Sequence, residues 1–143
     1  MSAVNSAVDL RFEMRSDAAE LSRARAWIAR VAEHLGLEPH AGFALKAAAS
    51  EALSNVIRHS YGGREGLPIL LNCVRRRGRV LLAIRDYGRK ARGAFRRPRP
   101  PAPHPDSAYG LWILHCLVDR VRVDHTPEEG NILTLTVSDG EPS

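Results

Sequence analysis

Four polar side chains fall on one face of an alanine-rich stretch in the middle of this sequence. Glu51, Asn55, Arg58 and His59 are spaced i, i+4, i+7 and i+8. Ala44, Ala47 and Ala48 share that face, and Leu45, Leu53, Val56 and Ile57 lie opposite as core. A carboxylate can take a proton, and an amide oxygen can ligate a hard cation. Small residues beside them leave room for a ligand over the helix. A solvent-facing stripe stabilised by its own side-chain pairs has the same spacing, so spacing alone leaves both readings open. Three further features bear on the choice. Asp86-Tyr87-Gly88 directly follows an expected strand, Gly110 opens a helical pattern whose free N–H groups can hold phosphate, and a proline-rich segment separates the two. Together they describe a nucleotide site: a helix face as floor, a carboxylate at one end, a helix N-terminus at the phosphate end and a cover. Each alone is ordinary, since Asp-x-Gly is a common turn.

The elements that must position these residues follow from periodicity. Val8 to Arg15 alternates apolar and polar, which predicts a half-buried strand. Ser16-Asp17 offers an N-cap for a helix over 17–35 with Leu21, Ile28, Val31, Ala32 and Leu35 inward, and Gly36 ends it. Glu38-Pro39 opens a second helix, about 40–60, stopped by Tyr61-Gly62-Gly63. Strands over 67–76 and 79–85 flank the hairpin signal Arg77-Gly78. Residues 89–108 carry five of the nine prolines and no usable period, which predicts a lid or binding loop. A third helix over 109–119 and strands over 121–125 and 131–138 complete the chain, the last two joined by Pro127-Glu128-Glu129-Gly130. Hairpin-paired strands and three helices predict an α+β, two-layer sandwich: a mostly antiparallel sheet with one face covered, in a single domain over 1–143 with its core at about 8–138.

Composition narrows the function classes. The 143 residues carry 44% hydrophobic and 26% charged side chains, as globular chains do. No apolar run reaches the ~20 residues of a membrane span, and the start has no basic patch followed by an apolar stretch, so a cytoplasmic protein without a membrane partner is expected. Cys73 and Cys116 form no CxxC pair and read as reduced thiols. The six histidines show no zinc spacing, and no G-x-x-x-x-G-K-[ST] loop occurs. Net charge is +5, and eleven of the 21 basic residues fall between Arg75 and Arg99 with Asp86 as the one acid among them. Few aromatics interleave that block, which argues against direct nucleic-acid binding by stacking.

The motifs also carry a resemblance. Residues 50–62, Ser50 through Gly62, look like the N box of the GHKL ATPase superfamily, close to its small stand-alone anti-sigma-factor serine kinases of bacterial partner switching. Ile84-Arg85-Asp86-Tyr87-Gly88 is similar to the first glycine box of that family. Tyr109 to Leu114 with the tail Leu117-Val118-Asp119-Arg120-Val121 is similar to the second, and Gly130-Asn131-x-Leu133 resembles the last-strand motif. The resemblance implies a Bergerat-type ATP-binding fold with ATP and Mg²⁺ as cofactors. It implies that Asn55 coordinates Mg²⁺, that Glu51 orients or deprotonates a seryl hydroxyl, and that Asp86 accepts from the adenine amino group. Gly88 would let the backbone approach the base, and the N–H groups at Gly110 and Leu111 would hold phosphate. His59 would support the end of the N box. The implied partners are a sigma factor and an anti-sigma-factor antagonist, with a homodimer face on the first strand and first helix. Two positions depart from the family pattern: Lys90 stands where a second glycine belongs, and Ala108 replaces the first glycine of the second box. Lys90 is read instead as a salt-bridge partner for phosphate. The departures also open a second reading, a catalytically weak binding module.

Overall fold

Arg77-Gly78 turns the chain back on itself, and the sheet grows from that hairpin. A computed structural model describes residues 9–90 and 117–138. Strands β1 (Asp9–Arg15), β2 (Pro68–Arg76), β3 (Arg79–Asp86), β4 (Arg120–Asp124) and β5 (Asn131–Ser138) form one sheet in the order β1-β2-β3-β5-β4, antiparallel at every pairing. Period-two patterning sets one face inward: Met14, Ile69, Leu71, Cys73, Val80, Leu82, Ile84, Leu133, Leu135 and Val137 are buried. A one-residue slip of β2 would replace Ile69, Leu71 and Cys73 on the inward face with Leu70, Asn72 and Val74, placing a polar amide in the core, which is why the register is well determined.

Helices α1 (Glu20–His34) and α2 (Pro39–Asn55) cover the apolar face. Ala24, Ile28, Val31 and Ala32 of α1 meet Leu45, Ala48, Ala49, Ala52 and Leu53 of α2 in one core cluster with the strands, apart from Ala32, which is buried beside it. Gly42 permits the close crossing, since a Cβ there would sit 3.3 Å from the Ala32 Cβ. None of the helices among the described residues is long and apolar enough to cross a membrane.

Four expectations are corrected. The described residues contain two covering helices rather than three; of the expected third, 109–116 lies outside the described residues, as do Gly110, Leu111, Cys116 and residues 91–108 of the expected lid. Ser16 and Asp17 do not cap α1, whose N-cap is Ala19 with no side-chain bond. They tie down the loop before β2: Ser16 Oγ donates to the Arg64 carbonyl and accepts from Leu67 N–H, while Asp17 Oδ1 accepts from Gly66 N–H. The second helix does not run as an α-helix to Ser60, because Val56–Ser60 is a π-helical turn in which Tyr61 N–H donates to the Val56 carbonyl at 3.0 Å. Ala44 and Ala48 are buried in the interior rather than left open beside Glu51.

Candidate functional site

The π-helical turn decides which N-box side chains face in. A helix bonded i→i+5 carries one extra residue in the turn, and such bulges concentrate at functional sites. After Val56 the buried positions step to Ser60 and Tyr61, while Arg58 and His59 are exposed. The polar face expected from an unbroken helix is therefore divided at Asn55.

On the α2 side of that break, Glu51 is half-buried and lines a groove of about 440 Å³ with Ala18, Leu21, Ser54, Ile57 and Arg58. Asn55, one turn on, is 2% exposed. Its Oδ1 accepts from Arg58 Nη2 at 3.0 Å, and its Nδ2 has no hydrogen-bond partner among the described residues. A buried amide N–H left unpaired costs on the order of 1–3 kcal/mol, so the folded chain carries a donor that a ligand acceptor would satisfy.

On the other side of the break lies Asp86, at the end of β3 and 1% exposed. Its Oδ1 accepts from Gly88 N–H at 2.9 Å and from Asn131 Nδ2 at 3.1 Å, and the Ser60 side chain also hydrogen-bonds the carboxylate. These three donors leave acceptor capacity on a group with about four lone-pair sites. Burial pushes the Asp86 carboxyl above the usual carboxylate range, against the lowering effects of Gly88, Asn131, Ser60 and Arg85. Asn131 Nδ2 also donates to the Arg89 carbonyl at 2.8 Å, so one amide holds both the carboxylate and the loop that follows it.

Glycine is required here for backbone packing. A Cβ on Gly88 would overlap the Ser60 carbonyl, which accepts from Arg89 N–H at 2.8 Å. A Cβ on Gly130, at φ +75°, would overlap the Asp86 carbonyl. Tyr61, 2% exposed, binds the same cluster from below: its hydroxyl donates to the Pro68 carbonyl and accepts from Tyr87 N–H at 2.8 Å. Burial raises its pKa above the ordinary phenol value.

Lys90 sits apart from this arrangement. Its ammonium donates to the carbonyls of His125 at 2.9 Å, Gly130 at 3.0 Å and Pro127. An ammonium has three N–H groups, and all three are engaged in clamping the β4–β5 loop, so a phosphate contact would require one to be released. His59 keeps an exposed side chain, while its carbonyl accepts from Arg89 Nη2 at 3.0 Å. Among the described residues no group of three or more His, Cys, Asp and Glu side chains could hold a metal ion.

Glu51, Asn55, Asp86 and Gly88 are thus brought to the two sides of one turn. Ser60, Tyr61 and Asn131 join them without having been singled out as site residues. Asn131 was visible only as part of the Gly130-Asn131 motif. Nothing in helical or strand periodicity could show that it pairs with a residue 45 positions away.

None of the curated proteins matches the chain by sequence. Among solved structures it is similar to the crystal structure of the RsbU and RsbW domains of Rv1364c from Mycobacterium tuberculosis, with a TM-score of 0.66 at 19% identity. That match covers 92% of this chain and 32% of the other, so the chain spans about a third of that protein's length and shares a fold with it. The family model described as "Histidine kinase-like ATPase domain" matches residues 14–137, from the first strand through the last. The α+β sheet, the helix pair and that match agree: the chain belongs to the histidine kinase-like ATPase domain family.

Proposed function

We propose that this chain is an ATP-dependent protein kinase of the partner-switching type, which phosphorylates a serine on an anti-sigma-factor antagonist and sequesters a sigma factor in the cytoplasm. The carrying observation is the pair Glu51 and Asn55, one helical turn apart, the first lining a groove and the second buried with an unpaired amide N–H. The RsbW domain in the similar crystal structure supports the same direction.

The residues fit the nucleotide and its metal. Arg58 is exposed, so its guanidinium can leave Asn55 Oδ1 without unburying anything, which frees a hard oxygen for Mg²⁺. Asn55 Nδ2 is then a donor for a phosphate oxygen. Asp86 retains an acceptor site for an exocyclic amine. Bound ATP and Mg²⁺ supply the phosphoryl group and neutralise its charge. Glu51 would orient the seryl hydroxyl and take its proton as the serine oxygen bonds to the γ-phosphorus, the bond from that phosphorus to the bridging oxygen breaking and ADP leaving.

Labelled ATP, Mg²⁺ and a serine-bearing antagonist domain test this. Phosphoserine should form on the antagonist, and Glu51→Gln should reduce transfer about 100-fold or more while ATP still binds by calorimetry. Asn55→Ala should remove ATP binding itself. Absent nucleotide binding, or unchanged transfer by Glu51→Gln, overturns the proposal. A second reading, a catalytically weak binding module, is favoured by the full engagement of Lys90 and by Arg58 on Asn55 Oδ1. It is distinguished by partner binding without transfer.

A further inference from the structure

The face of the sheet opposite the helices carries a second feature, remote from the site above. Arg76, Arg79 and Arg120 extend from β2, β3 and β4, and with Arg77 of the hairpin turn they line a cavity of about 810 Å³ at the end of the sheet. Arg79 pairs in register with Ser138 and Arg120 with Thr136, so the arginines flank the end of β5 from both sides. Asp119 also lines the cavity, but its Oδ2 accepts from the Ser138 backbone N–H at 2.8 Å and from Ser138 Oγ at 2.9 Å. Among the described residues none of the four guanidinium groups forms an ion pair. Arg79 lies seven residues from Asp86 along β3, about 23 Å away at strand rise.

Two local costs coincide there. Arg77 adopts φ +43°, left-handed backbone in which glycine or asparagine is favoured over arginine. Arg76 stands directly opposite Arg79, a like-charge pair that is unfavourable across a sheet. Backbone strain and repulsion kept together in a tight turn point to a use for the charge.

We propose that this cavity binds an acidic segment of a protein partner, with carboxylates bridging Arg77 and Arg79 to Arg120. A second copy docked symmetrically through the same face would bring arginines against arginines. A single-stranded nucleic acid would find no aromatic ring among the lining residues on which to stack. Arginine forks suit carboxylates, and clusters of them read acidic motifs.

The probe is a peptide of consecutive glutamates, titrated by calorimetry into the whole chain, beside a glutamine peptide of equal length and an oligothymidylate of equal charge. The glutamate peptide should bind and the glutamine peptide should not. Arg79→Glu should weaken binding at least about tenfold. Arg30→Glu, an equal charge change on exposed α1 surface, should change it less than about twofold. Arg77→Asn should raise the thermal midpoint while weakening the peptide, opposite signs that a merely structural arginine would not give. Amide shifts induced in the wild type should centre on residues 76–79, 119–120 and 138. The proposal is overturned if no peptide binds, if Arg30→Glu weakens binding as much as Arg79→Glu, if oligothymidylate binds as tightly, or if the shifts scatter over the surface.

Discussion

The two ends of β3 solve opposite problems. At Asp86 a buried carboxylate meets donors from the π-helical turn, its own loop and β5, so its charge is handled almost wholly within the chain. At Arg79 an exposed cation shares a cavity with three further arginines and forms no ion pair among the described residues, the one carboxylate there, Asp119, being hydrogen-bonded to Ser138. Both ends contain residues with positive φ, Gly130 at one and Arg77 at the other. Gly130 is enclosed by the Asp86 carbonyl and the Tyr87 Cα, whereas the turn at Arg77 is exposed to solvent. The Asp86 end is tightly constrained by packing, and the Arg79 end is left open for contact.

The largest test of that contrast is Gly130→Ala. Its Cβ would overlap backbone that cannot move without displacing Asp86, so a loss of about 3 kcal/mol or more is expected in denaturant unfolding. A near-neutral result would mean that the Asp86 end is as loose as the other. Next is Asn131→Ala, which removes the donor to a buried carboxylate and should cost about 2 kcal/mol at neutral pH.

The same variant has a pH signature. Burial raises the Asp86 pKa in the folded chain, so its contribution to stability is fully present below the ordinary carboxylate range and is lost as pH rises through the raised value. The Asn131 amide favours the ionised form. The destabilisation by Asn131→Ala should therefore be smaller near the acid end of the range and larger at neutral pH, and Asp86→Asn should abolish the difference. Equal destabilisation at both pH values would show that Asp86 is not the titrating partner.

The smallest effect has the opposite sign. Arg77→Asn relieves a left-handed arginine and should gain about 1 kcal/mol, seen as a raised unfolding midpoint. A loss instead would mean that Arg77 stabilises the hairpin on its own account. Cys73 offers a control for global unfolding in all these variants. Burial pushes its thiol up to about 12, so alkylation at neutral pH should require unfolding.

Much of the sheet was legible because alternation is local. The strand at Asp9–Arg15, the hairpin at Arg77-Gly78 and the strand at Asn131–Ser138 all follow from period two and turn chemistry, and their bounds shift by a residue or two at most. The helices were legible in extent but not in their ends. Ser16 and Asp17 have the right types for a cap, yet the loop at residues 64–67, some fifty positions away, takes their hydrogen bonds instead. The π-helical turn was not legible, since Val56–Ser60 has ordinary helix-compatible residues and only packing sets the extra residue. Lys90 shows the same limit: a cation in a loop suggests phosphate, and three carbonyls of the β4–β5 loop surround it.

Taken alone, the sequence determined the antiparallel α+β layering, the carboxylate and amide four apart on one helix, and the basic hairpin. Each depends on neighbours a few residues away, where the backbone's period dictates geometry. Tertiary structure decided that Asn131 holds Asp86, that Asn55 is buried with an unpaired N–H and that arginines from three strands and one turn converge on a single cavity. Those outcomes depend on strand order and on which buried donors find acceptors, and no local periodicity contains either.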